Sequence, residues 1–111
     1  MKTGIELITE ERQRQISQEG WTAEHDDQYL KNELQYAAVC YASDNLDTSP
    51  PPYWPWHPSW WKPSTDPGRN WTKAGALYLA ERDRQTRLGN AEEADRMESK
   101  ANKCASRIDC L

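Results

Sequence analysis

Residues 50 to 63 read Pro50-Pro51-Pro52-Tyr53-Trp54-Pro55-Trp56-His57-Pro58-Ser59-Trp60-Trp61-Lys62-Pro63. Prolines at this density fix the backbone and remove hydrogen-bond donors, so no long helix or central strand can run through the stretch. A short helical turn at Pro58–Trp61 is still allowed, because proline suits a first helical position. Five aromatic rings in this segment are too much apolar surface to leave in water. The segment is therefore expected to wrap over the rest of the chain and supply much of its core. The 111 residues contain no Phe, and Ile, Leu and Val together number only thirteen. So few aliphatics signal disorder when net charge is high and aromatics are rare. Here the net charge is −4 and there are six Trp, which predicts a folded domain with an aromatic and alanine core.

The flanking sequence is helical in period. A first helix is expected over 9–20, with Thr9 as cap, Glu10 and Glu11 in the first turn, and Gly20 as a left-handed stop. Ile8 and Ile16 share one face with Glu11, Arg12, Gln15 and Glu19, so docking through the isoleucines carries polar groups inward. A second helix is expected over 26–42, where Leu30, Leu34, Ala37, Ala38 and Tyr41 form an amphipathic stripe that also holds Glu33. The Pro/Trp-rich segment then occupies 43–66. Asp66-Pro67 caps a third helix over 67–88 that stops at Gly89. Asn90 with Glu93 would cap a fourth over 90–108, whose seam is Ala94, Met97, Ala101, Cys104 and Ile108. That seam suits a hairpin on the third helix better than a homo-oligomer interface through the C-terminal helix. No alternating strand survives. The expected architecture is a single all-α domain over 1–111: about four helices with a Pro/Trp-rich loop packed over them.

Several classes are excluded at this level. The longest apolar run is a few residues, too short for a transmembrane helix, and the N-terminus lacks the apolar stretch of a signal peptide. Residues 1–63 carry 5 basic and 10 acidic side chains and residues 64–111 carry 9 and 8, so neither half is a basic patch for duplex nucleic acid. Three cysteines, Cys40, Cys104 and Cys110, form no CxxC pair, which fits a cytoplasm with reduced thiols. There is no GxSxG elbow and no phosphate-binding glycine loop.

Chemistry is then sought where polar side chains fall on faces that must be buried, because burial is costly unless they are paired. Arg12, Gln15, Arg69 and Lys73 meet that description, and with Trp56 or Trp60 they make a set suited to a small anion bearing a flat ring. In this reading Arg12, Arg69 and Lys73 hold phosphate-like charge while a Trp stacks on the ring. The competing reading is an internal ion-pair network, for example Arg12 with Glu33. A metal reading gathers Glu11, His25, Asp26 and Glu33 around a Mg ion.

Five blocks in order resemble a family of small, mostly uncharacterised phage and prophage proteins. They are Glu11-Arg12-Gln13-Arg14-Gln15, Glu19-Gly20-Trp21-Thr22 with Glu24-His25-Asp26-Asp27, Glu33-Leu34 with Ala37-Ala38 and Tyr41-Ala42, Trp54-Pro55-Trp56 with Trp60-Trp61-Lys62-Pro63, and Lys73-Ala74-Gly75-Ala76-Leu77 with Ala80-Glu81. The resemblance covers residues 10 to about 84 and implies an accessory protein in the cytoplasm of an infected or lysogenic bacterium. The MazG-like all-α nucleotide pyrophosphatases are a second comparison. Their metal site resembles EExxE on one helix and ExxD on another. This chain departs from that pattern, with Arg14 where the third carboxylate would stand and Glu81-Arg82-Asp83 at the wrong spacing. The leading expectation is a non-enzymatic binder of a nucleotide-like ligand that needs no cofactor, sequestering a host signal or otherwise countering host defence. The alternatives are a Mg-dependent nucleotide hydrolase, or an inhibitor presenting its acidic half to a basic host protein.

Overall fold

The helix over Pro67–Arg87 forms the middle of the molecule. In the computed structural model, which describes residues 1–43 and 46–111, five α-helices and one 3₁₀ turn surround a core with no strand among the described residues. They are α1 (Gly4–Gln18), α2 (Ala23–Asp26), α3 (Glu33–Tyr41), the 3₁₀ turn Pro58–Trp60, α4 (Pro67–Arg87) and α5 (Ala91–Asp109). Helix α4 is buried without interruption from Ala74 to Gln85 apart from Arg82 and Asp83, and it contacts all four other helices. Such continuous burial is what a central helix requires, and small residues make it possible: Ala74, Gly75, Ala76 and Ala80 let neighbouring backbones approach.

The two C-terminal helices follow the expected boundaries within a residue. The Asp66 carboxylate accepts from the Gly68 amide at 2.9 Å, Pro67 occupies the first turn, and Gly89 takes φ +81. The seam of α5 is spent inside the chain, where Ala94, Met97, Ala101 and Cys104 are buried and α5 packs chiefly on α4. Asn90 does not cap α5 with its side chain. Its Nδ2 instead donates to Gln85 Oε1 at 2.9 Å, and Glu93 pairs with Arg96.

The N-terminal half differs from expectation in two places. Helix α1 begins at Gly4, five residues before the expected start, because Thr3 is the cap and its Oγ accepts from the Glu6 amide. Close approach explains the early start: Gly4 lies against the Ala105 backbone, and its amide donates to Asp109 at 2.6 Å. The end of α1 is as expected, with Gly20 at φ +73 and the Trp21 amide returning to the Gln15 carbonyl at 3.0 Å. The expected second helix over 26–42 forms only from Glu33 to Tyr41, and a short unexpected helix, α2, ends at Asp26 where it was to begin. Thr22 caps α2, the chain turns, and α3 starts after Asn32, which sits at φ +62 in the left-handed region that asparagine tolerates. Leu30 falls in that turn and is 74% exposed, so the stripe truly begins at Leu34.

The Pro/Trp-rich segment lies over α3 and α4 as an aromatic sheath; its residues 44 and 45 lie outside the described residues. Trp61 is buried and stacks on Tyr41 with ring centroids 4.7 Å apart, while Trp54 meets both rings edge-on. The indole N–H of Trp61 donates to the Asp47 carbonyl at 2.9 Å, and that of Trp54 to the His57 carbonyl at 3.2 Å. Ring pairs of this kind add about 0.5–1.5 kcal/mol each beyond burial. Of the five rings expected to supply core, only Trp61 is buried; Trp54 and Trp56 are partly buried against the core, and Tyr53 and Trp60 are exposed.

Candidate functional site

A cleft of about 310 Å³ opens between α1, the middle of α4 and the Trp segment. One wall is aromatic: Trp54, Trp56 and Trp60 from the segment, Tyr41 from α3 and Trp21 from the loop after α1. Trp60 is half exposed at the rim. Trp56 bridges the group, lying 5.4 Å from Trp54, 6.3 Å from Trp60 and 6.3 Å from Trp21 by ring centroids. The opposite wall is polar, with Glu11, Arg14, Gln15 and Glu19 from the end of α1 facing Lys62 and Lys73.

Charge is distributed unevenly within that wall. Arg14 forks onto Glu11 at 2.9 and 2.8 Å and reaches Glu19 at 2.9 Å. Arg69 takes the other side of Glu11 at 2.8 Å. Burial pushes the Glu11 carboxyl up, but the hydrogen bonds from Arg14 and Arg69 outweigh it and hold the group below its ordinary value. Glu11 is therefore a satisfied anion. No carboxylate pairs with Lys62 or Lys73 among the described residues. Lys73 Nζ donates to the Lys62 carbonyl at 2.5 Å and lies 5.4 Å from the centre of the Tyr41 ring. Burial, and then the like charge of Arg69, hold the Lys73 ammonium below its ordinary value. An anion entering the cleft would relieve that penalty.

Of the residues expected to bind a ligand, Gln15, Trp56, Trp60 and Lys73 line this cleft together. Arg12 and Arg69 do not. Arg12 is buried beneath α1, where Nη2 meets Asp26 at 3.1 Å, Nη1 reaches the Trp21 carbonyl at 3.4 Å and Nε faces Asp83 at 3.8 Å. Arg69 lies behind Glu11 and borders a separate groove with Gly68 and Leu111. Arg12 faces inward, as the helical period demands, whereas the Arg69 side chain is 39% exposed, and carboxylates on other helices claim both. The partner of Arg12 is Asp26, not Glu33. Lys62, Arg14, Tyr41, Trp21 and Trp54 were not singled out as cleft residues. The only sequence signal for Lys62 is its place in Trp60-Trp61-Lys62-Pro63.

The expected metal set does not converge. Asp26 is fully buried and binds Arg12 and His25, Glu11 is held by Arg14 and Arg69, and Glu33 caps the preceding turn by accepting from the Lys31 amide at 2.6 Å. Among the described residues no group of three or more His, Cys, Asp or Glu side chains is placed to share a metal ion. His25 instead bridges Asp26 at 3.0 Å, stacks on Trp21 and lies 3.4 Å from the Tyr29 hydroxyl. Cys40 and Cys104 are buried, and burial pushes each thiol up to about 11. No described helix is long and apolar enough to cross a membrane.

No protein-family model, no curated protein and no solved structure matches this chain.

Proposed function

We propose that this protein binds a small anion bearing a flat aromatic ring, of the nucleotide class, and releases it unchanged. One observation carries the reading. In a chain of net charge −4, the aromatic-walled cleft that α1 and α4 share has three cationic side chains against two carboxylates, and both carboxylates are engaged by Arg14. Lys62 and Lys73 supply the charge for the anionic group, and the exposed face of Trp60 stacks on the ring. The cleft is at the lower end of the range for small-ligand sites, roughly 300–1,000 Å³. That favours one ring with its anionic group over a polymer.

Binding without turnover is supported by the three carboxylates of the expected metal set: Glu11 and Asp26 are tied to arginines, Glu33 to a backbone amide, and they do not converge on one point. The hydrolase reading loses its ligand set for the same reason. A role as a phage or prophage accessory protein that withholds a nucleotide signal from its host rests on the five sequence blocks described above.

Isothermal titration with nucleoside monophosphates in EDTA tests the proposal. The expected result is one-to-one binding that weakens with salt, with the nucleotide recovered intact, and at least a fivefold loss in Lys73→Met. Absence of binding, or hydrolysis on adding Mg, would overturn it.

A further inference from the structure

Two buried hydrogen-bonding atoms on the cleft residues have no partner among the described residues, and they are of opposite kind. Gln15 is only 3% exposed, yet its Oε1 is unpaired; Trp56 Nε1 is likewise shut from water and unpaired. The orientation of the Gln15 amide is fixed by chemistry. Its Nε2 donates to Glu11 Oε2 at 3.4 Å, and a carboxylate held ionised by two arginines can only accept, so the oxygen must be the free end. The Trp56 indole contrasts with its neighbours, since Trp54 and Trp61 both satisfy their N–H groups with backbone carbonyls. Buried polar groups are nearly always satisfied, and those that are not call for an explanation. The third unpaired atom, Arg12 Nε, lies away from the cleft and faces Asp83 at 3.8 Å.

Resting on the binding reading above, we infer that Gln15 and Trp56 form a base-edge reader. The ligand ring is a heterocycle carrying both a donor and an acceptor, as on a nucleobase, and not a plain aromatic ring. A ring N–H or exocyclic amine donates to Gln15 Oε1, and a carbonyl or ring nitrogen accepts from Trp56 Nε1. Both residues line the same cleft, Gln15 from α1 and Trp56 from the Trp segment. Trp56 is half-buried as a residue, so part of its ring borders the cleft. Division of labour follows. Lys62 and Lys73 hold charge, Trp60 holds the ring face, and Gln15 with Trp56 reads the edge.

The test compares uridine and guanosine 5′-monophosphates with 1-naphthyl phosphate, which keeps a ring and a phosphate but lacks the polar edge. Wild-type protein is expected to bind at least one nucleotide about tenfold more tightly than naphthyl phosphate, because a site built to hydrogen-bond a ligand rejects the analogue that cannot. Gln15→Leu and Trp56→Phe should each weaken nucleotide binding by a clearly larger factor than naphthyl phosphate binding, so that the preference shrinks toward one. Equal binding of the two probes by wild-type protein, or equal losses for both probes in the variants, overturns the edge reader and leaves the anion site standing. Failure of wild-type protein to bind either probe overturns the binding reading and this inference with it. The wild-type comparison needs no variant, so it decides even where Gln15→Leu fails to fold.

Discussion

Replacing Gly75 with alanine should destabilise the protein, although alanine is the better helix former by about 1 kcal/mol. A Cβ built on Gly75 would overlap Ile8 Cδ1 and stand 2.7 Å from Ile8 Cγ1, closer than real Cβ contacts come, and 3.1 Å from Ile8 Cγ2, tighter than most of them. Ile8 is fully buried and lies at the centre of the α1–α4 contact, so it has nowhere to retreat. Overpacking of this kind costs about 1–3 kcal/mol, which exceeds the propensity gain at the upper part of that range. Because contacts under 3.0 Å fall on a fully buried side chain, the upper part of that range applies, about 2–3 kcal/mol. A net loss of about 1–2 kcal/mol follows, or a fall in Tm of roughly 4–16 °C for a domain near 100 residues. The decisive feature is a change of sign. In an Ile8→Ala background, itself costing about 2–5 kcal/mol, the clash is gone and Gly75→Ala should stabilise by up to about 1 kcal/mol. Urea denaturation of the four proteins measures this cycle. If Gly75→Ala is neutral or stabilising in the wild-type background, the packing of α1 on α4 is wrong, and with it the wall that carries Glu11 and Gln15.

Three further outcomes are expected. Asp26→Ala should cost about 3–5 kcal/mol by denaturant titration because it leaves Arg12 buried without its carboxylate, whereas Asp27→Ala, which breaks an exposed pair with Arg87, should cost less than about 1 kcal/mol. Because the folded Glu11 carboxyl titrates below its ordinary value of 4.5, its contribution is present above that pH and is lost as the pH falls through the lowered value. Urea midpoints should drop on acidification toward pH 3, and Glu11→Gln should flatten that part of the profile. Iodoacetamide at pH 8 should label Cys110 quickly and leave Cys40 and Cys104, both buried with thiols pushed up to about 11, untouched until unfolding; rapid labelling of all three would contradict the core.

The helices that were legible in the sequence are those with local punctuation. Asp66-Pro67 and Gly89 bracket α4, and their capping chemistry acts within a few residues. The break between α2 and α3 was hidden because Leu30 has the right spacing to extend the stripe, and only Asn32 in the left-handed region stops it. The start of α1 was hidden for a different reason: Gly4 in a first turn reads as a weak helix residue until the Ala105 backbone is seen against it. At the site, the inward period of α1 and α4 pointed to Gln15 and Lys73, and the aromatic run to Trp56 and Trp60. Ion-pair partners were beyond reach. Glu11 finds Arg69 across 58 positions and Arg12 finds Asp26 across a turn, and those choices, made by packing, take two arginines out of the cleft.

The central claim, that an anionic ring enters between Lys73 and the Trp segment, is tested most directly by the indole N–H signals in ¹H–¹⁵N spectra. Each of the six Trp residues contributes one such resonance, so the spectrum reports which rings a ligand touches. On titration with a nucleoside monophosphate, the Trp56 and Trp60 signals should move saturably while Trp71, which borders a different groove beside Pro67, stays fixed. Motionless Trp56 and Trp60 signals at millimolar nucleotide, or a shift confined to Trp71, would contradict the account.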